Sequence, residues 1–321
     1  MPAALATAAL WFAVLLALAL LLHGAAFAVE MVCVAAQHRD DPAPRPSASQ
    51  LLRAVAREAL LALRVFGWRQ VWRRNAVADD FERPGYAGRR GVLLVHGHLC
   101  NRAFWQPWQR ALSAAGVPHR AISLTPTWAD IDRHAPQMEA AVAQMLRATG
   151  RTPLLVGHSM GGLVIRAWWR WRTQRLAAAE SVKGSGSGVA GETADGAVPL
   201  ALIEMPAVLT LGTPHQGTWL ASWARALPAS QMRPGNDWLA NLAASESADW
   251  RARFGCVHSH CDNVVFPPAR AVLPGAGQVL HWAGLAHLEL GHDPRGWQLA
   301  LQQLERLDQP DHPRGAVPAS A

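Results

Sequence analysis

From Gly91 onward the apolar positions fall into short, near-continuous runs separated by longer stretches of helical period. GVLLVHG (91–97) predicts a buried strand, and HRAISL (119–124), TPLLVG (152–157) and PAVLTLGTP (206–214) predict further strands. Between them, FWQPWQRALSAAG (104–116) and DIDRHAPQMEAAVAQMLRATG (130–150) predict helices, closed by Gly116 and Gly150. MGGLVIRAWWRWRTQRL (160–176) follows the third strand directly and predicts another helix. CVHSH (256–260) and QVLHWAG (278–284) predict two later strands. DPRGWQLALQQLERL (293–307) predicts a closing helix, with Asp293 as its N-cap and Pro294 at the first helical position. This alternation predicts an α/β fold with a mostly parallel central sheet flanked by helices.

Several stretches break the pattern. Residues 3–29 carry no charged side chain and are long enough to cross a bilayer as a helix. Ala26-Phe27-Ala28 offers a cleavage site of the signal-peptide kind, but no Lys or Arg precedes the apolar run, which favours an uncleaved transmembrane anchor over 1–38. Residues 39–88 combine a linker, DDPAPRPSAS (40–49), with an Arg-rich amphipathic helix over 51–74. That helix either lies on lipid headgroups or packs on the α/β domain. The α/β domain spans 89–310 and contains a small, polar, Gly/Ser-rich stretch at 177–198, expected to be a flexible insertion. Residues 218–250, rich in Trp and Leu, predict either a lid or acyl-pocket wall, or core helices; 311–321 read as a polar tail.

Half of the 321 residues are hydrophobic and the formal net charge is +7, almost all of its basic component arginine. No nucleic-acid-binding motif accompanies that charge, and the interleaving of Arg with Leu, Val and Trp between 53 and 74 favours a membrane surface. Arg39, Arg45, Arg53 and Arg57 all follow the apolar span and none precedes it, so the positive-inside rule places the C-terminal domain in the cytoplasm. Four cysteines are too few for a disulfide scaffold, and none form a CxxC pair.

The chemistry centres on Gly157-His158-Ser159-Met160-Gly161, a G-x-S-x-G pattern at a strand-to-helix junction. In that context the serine sits on a sharp turn, and side chains at 157 or 161 would clash. A serine hydroxyl needs a base and an orienting carboxylate, in the chain order Ser, Asp or Glu, His. Asp262 follows CVHSH, and the exit loop after LTLGTP holds no competing carboxylate; an Asx turn cap is the other reading of Asp262. His287, after the last strand, is the base candidate, in preference to His292 beside the closing helix and His281 inside the strand. Backbone N–H groups of His98 and Met160 are placed to stabilise an oxyanion. His96 with His98, and His258 with His260, lack a third ligand, so no metal is expected.

LLVHGHLCNRAFW, GHSMGGLVIR, TLGTPHQGTW, HCDNVVFPP and AHLEL together resemble the motifs of bacterial lipases and esterases of the α/β-hydrolase superfamily, over about Val92 to His292. The resemblance implies ester hydrolysis through an acyl-enzyme, with Ser159, Asp262 and His287 as triad, His98 and Met160 as oxyanion donors, an ester or lipid substrate, and no cofactor. It implies a pocket-lining or structural role for His215, and it leaves the N-terminal membrane region outside the hydrolase core. A bacterial inner membrane is the expected location. Acyl transfer to an alcohol on the same triad, and a non-catalytic membrane scaffold that keeps the fold, are the competing readings.

Overall fold

A computed structural model describes residues 2–37, 41–184 and 203–309. Among them six strands form one sheet: β1 (Val92–Val95), β2 (His119–Ile122), β3 (Leu154–His158), β4 (Val208–Leu211), β5 (Phe254–His258) and β6 (Gln278–His281). The order is β2-β1-β3-β4-β5-β6, and each neighbouring pair is parallel. Both faces are covered, which is why the strand sequences do not alternate with polar residues. Leu93, Val95 and Leu155 pack to one side with Met138, Val142, Leu163 and Trp168. Val92, Leu94, Leu154 and Val156 pack to the other with Trp105, Trp108, Leu112 and Leu299. Each such buried aliphatic contributes about 1.5–3 kcal/mol.

The flanking helices are α4 (Gln106–Ala114), α5 (Ala135–Thr149), α6 (Met160–Gly184) and α10 (Pro294–Asp308). Gly150 closes α5 in the left-handed conformation, and Asp293 caps α10 by accepting from Arg295 N. β1 and β3 are neighbours from which the remaining strands run in opposite directions across the sheet, so the crevice at their carboxyl ends is the natural ligand site of such a sheet. Of the expected insertion, 177–184 prolong α6. Its remainder, and the tail at 311–321, lie outside the described residues.

The chain ahead of β1 forms α1 (Pro2–Gln37), α2 (Ala48–Ala62), a π-helical turn at Leu63–Arg69 and the short α3 (Gln70–Trp72). Trp11–Gln37 of α1 is long and apolar enough to cross a membrane, with a mean hydropathy of 2.4 over an 18-residue window. Ser47 starts α2 with a reciprocal capping box to Gln50. Ala54, Glu58, Ala62 and Val65 are buried, whereas Leu60, Leu63, Phe66, Trp68, Val71 and Trp72 are exposed. The Arg-rich helix therefore packs on the domain with one face and offers an apolar, basic face outward. The N-terminal region, left outside the core by the family resemblance, packs onto it: Met31 and Ala54 join Cys261 and Ala286 in one buried cluster.

The 218–250 segment divides in two. Single helical turns at Trp219–Trp223 and Ala229–Met232 precede α7 (Asp237–Ala244) and α8 (Ala248–Ala252). The second half is core: Leu242 and Trp250 are fully buried, and Trp250 stacks on Trp169 at 4.9 Å. Arg166 on α6 clamps Glu246 through two buried contacts of 2.6 and 2.8 Å.

Candidate active site

Ser159 joins β3 to α6 with φ of 55°, in the left-handed region that a residue with a side chain rarely adopts. Among the described residues only Leu99, with φ of 60°, shares that conformation without being glycine, and both residues line the same cavity. Such backbone strain, of order 1–3 kcal/mol per residue, persists only where the surroundings over-determine it. Here they do. A Cβ at Gly157 would stand 2.6 Å from the Gly162 amide nitrogen, and one at Gly161 would collide with the Val95 carbonyl oxygen. Ser159 N donates to Leu211 O at 2.9 Å, tying the elbow to β4.

The loop after β1 approaches from the other side. A Cβ at Gly97 would lie 2.7 Å from Ser159 Cβ, so only glycine permits this approach of backbone to the elbow serine. His98 follows, its ring edge-on to Trp128 at 5.3 Å. Met160 opens α6, so its N–H has no intrahelical acceptor and lies at the positive end of the helix dipole.

Asp262 leaves the end of β5 and is buried. Its Oδ1 accepts from Val264 N at 2.9 Å and Val265 N at 2.8 Å, which is an Asx turn. The same carboxylate accepts from His287 Nδ1 at 2.9 and 3.0 Å. The two readings of Asp262 are thus one arrangement: the turn fixes the carboxylate that holds the imidazole. His287 is the first residue of a short helix, α9 (His287–His292), rather than part of a loop. Glu289 forms that helix by reaching back to Ala286 N at 3.0 Å.

Ser159 and His287 line one apolar cavity of about 300 Å³. Its walls include Leu220, Ala221 and Met232 from the first half of 218–250, and Phe27 and Glu30 from α1. Cys100 also lines it, but burial pushes its thiol up to about 12, far from a reactive thiolate.

The other histidines have structural partners. His96 accepts from Leu124 N at 2.9 Å through Nε2 and donates from Nδ1 to Gly97 O at 2.8 Å. Burial brings its pKa down to about 4. His215 is buried with Nε2 3.0 Å from Thr210 Oγ1, and its carbonyl accepts from Arg166 at 3.0 Å. His258 and His260 pack beside His281, with ring centroids 5.1 and 4.9 Å from it. His292 is part-buried: its ring meets Phe104 edge-on at 4.5 Å, and Nδ1 donates to Leu288 O.

No protein-family model and no curated protein sequence matches the chain. Among solved structures, Bacillus licheniformis lipase BlEst2 in its propeptide form superposes with a TM-score of 0.51 at 15% identity, over 76% of this chain and 55% of that one. The chain has the α/β-hydrolase fold. Aspergillus fumigatus lipase B aligns with a TM-score of 0.49 at 15% identity, over 71% of this chain and 54% of that one. This chain spans about half the length of each of those two structures. The mature form of BlEst2 gives a TM-score of 0.46 at 16% identity, over 72% of this chain and 95% of that one.

Within this hydrolase fold, some site residues carried no sequence signal. Gly212, with φ of 57°, runs beneath the Asp–His pair, where a Cβ would come within 2.8 Å of Asp262 Oδ2 and 3.2 Å of His287 Nδ1. His158, between Gly157 and Ser159 in the elbow, donates from Nε2 to His287 O at 3.0 Å and stacks on Phe104. Burial first, and the neighbouring His287 second, hold its pKa well below the usual imidazole range, so it stays neutral. In the sequence Phe27 and Glu30 belong to the apolar segment 1–38 and Glu58 to the Arg-rich amphipathic helix. Their place in the cavity wall follows from how α1 and α2 fold back.

Proposed function

We propose that this chain is a membrane-anchored serine hydrolase of carboxylic esters. The observation that carries the reading is the elbow serine, Ser159 at φ of 55°, in one cavity with His287, whose Nδ1 is held by Asp262. Ser159 Oγ attacks the ester carbonyl as His287 Nε2 takes its proton. The Met160 and His98 amides receive the oxyanion, the alcohol leaves with the proton from His287, and water then releases the acid by the same route. Asp262 fixes the imidazole tautomer and stabilises its charged form. The apolar cavity wall suits an acyl chain.

We assign 1–38 as the anchor, 39–88 as linker and amphipathic helix, and 89–310 as the hydrolase domain. Within the last, 218–232 supports the cavity wall better than it does a mobile lid, because Thr218 Oγ1 accepts from Phe266 N at 3.4 Å and Trp219 packs on the Phe266 ring. The exposed apolar residues after α2, together with the apolar helix α1, support a catalytic domain seated on the bilayer, with membrane-resident esters as substrates. The arginines after the span favour the cytoplasmic side.

Fluorophosphonate labelling and hydrolysis of p-nitrophenyl esters of rising chain length test the reading. Ser159→Ala is expected to lose label and to lower turnover by roughly 10⁴-fold or more, with the fold intact by circular dichroism. Turnover near the wild-type rate in that variant would refute it. Ultracentrifugation of a cell lysate tests the anchor: full-length protein recovered in the supernatant without detergent would rule it out.

A further inference from the structure

The first turn of α9 carries the proposed base, and its amides are held by side chains. Ala286 N donates to Glu289 Oε2 at 3.0 Å. His287 N donates to Asn263 Oδ1 at 3.1 Å, and Asn263 Nδ2 donates in turn to Glu30 Oε2 of α1 at 2.6 Å. Leu288 N donates to Glu58 Oε1 of α2 at 2.8 Å. One of the three amides is therefore held directly, and a second through Asn263, by residues from ahead of the hydrolase domain.

The apolar contacts repeat the arrangement. Met31 of α1 and Ala54 of α2 pack against Cys261 and Ala286, the residues immediately before Asp262 and His287. His23 ties the two N-terminal helices together, with Nε2 3.0 Å from Ala59 O. Arg57 stands 3.7 Å from Glu289.

We infer that α1 and α2 are a positioning element for the base, with Glu58 directly and Glu30 through Asn263 setting the imidazole of His287. This rests on the hydrolase reading above. The physical argument is one of reach. A six-residue helix has too few internal hydrogen bonds to fix its own first residue, and orphan N–H groups at a helix start take side-chain acceptors where these are offered. Loss of an acceptor would free the turn that aims the imidazole, and misplacement of a catalytic group by about 1 Å can cost on the order of 10²-fold in rate. Burial holds the Glu58 carboxyl well above the usual carboxylate range. In its neutral form glutamine reproduces its shape and keeps the acceptor, whereas leucine keeps bulk without one.

The experiment uses full-length protein in detergent micelles, assayed on p-nitrophenyl esters. Glu58→Leu is expected to lower kcat by about 10- to 100-fold with little change in KM, and Glu58→Gln to restore most of kcat. Glu30→Ala, acting through Asn263, is expected to lower kcat less, and it carries the test if Glu58→Leu does not fold by circular dichroism. Ser159→Ala is run alongside. Turnover that survives Ser159→Ala overturns the hydrolase reading and this proposal with it. Ser159-dependent turnover with unchanged kcat in Glu58→Leu and Glu30→Ala, or a Glu58→Gln enzyme as slow as Glu58→Leu, overturns this proposal alone.

Discussion

Asp262 meets His287 Nδ1 with both carboxylate oxygens, at 2.9 and 3.0 Å, while its Oδ1 also closes a turn on Val264 and Val265. The residue therefore has a conformational task and an electrostatic one, and substitution can separate them. Asparagine keeps an oxygen for the two turn amides but loses the charge and offers an N–H where an acceptor is needed.

Asp262→Asn is accordingly expected to fold with a melting temperature close to wild type and to lose roughly 10⁴-fold in kcat. Circular dichroism melts and ester kinetics on one preparation measure both. A loss below about tenfold would show that the imidazole does not need this carboxylate.

Gly212→Ala should injure the site more than the fold. Its φ of 57° strains any side chain, and the added methyl presses on Asp262 Oδ2 and His287 Nδ1 from below. Backbone strain of about 1 kcal/mol predicts a modest fall in melting temperature, against a drop of an order of magnitude or more in kcat as the pair is displaced. Unchanged kcat would mean the pair tolerates the shift.

Arg166 and Glu246 are both almost fully buried, so removing Glu246 leaves the Arg166 guanidinium as an unpaired charge in the interior. Glu246→Leu is expected to cost about 3–5 kcal/mol, read by chemical denaturation. The double change Arg166→Met with Glu246→Leu should cost less than that single change, because no lone charge remains. If the single variant is as stable as wild type, the clamp does not hold 237–250 in place.

His96 predicts a pH dependence of stability. Its Nε2 accepts from Leu124 N, so protonation would set two donors against each other. Its pKa, about 4 in the folded chain through burial, lies below the 6.5 expected when unfolded. At pH 7 both states are neutral. As pH falls below 6.5 the unfolded state takes up the proton first, and stability declines until about pH 4, where the folded state protonates too. His258, also brought down to about 4 by burial, works in the same direction. Melting temperatures between pH 7 and 4 should fall, and His96→Leu, though weaker at pH 7, should fall less steeply. Parallel slopes for the two proteins would remove His96 from the account.

The sequence alone determined what local rules control. Near-continuous apolar runs marked the buried parallel strands, because both sheet faces are covered. Gly150, Asp293 and Pro294 marked helix ends, because caps act within one turn. The strand–GHSMG–helix pattern marked Ser159 as a bend residue, because a side chain at Gly157 or Gly161 would collide with backbone where β3, β1 and α6 meet. Tertiary structure decided what depends on contacts distant in sequence. Asp262 and His287 meet because β5 and β6 are neighbours in the sheet, and no spacing rule along the chain fixes that distance. Gly212 matters through what lies above it. Residues 218–250 had one composition throughout, yet Arg166 and Trp169 bury the second half while the first lines the cavity. Glu30 and Glu58 read as members of an apolar helix and an Arg-rich one, since nothing local records that those helices fold back. Their contacts are with residues more than two hundred positions away: Glu58 accepts from Leu288 N, and Glu30 from Asn263, which in turn accepts from His287 N. Both amides lie in the first turn of α9, where no intrahelical acceptor exists.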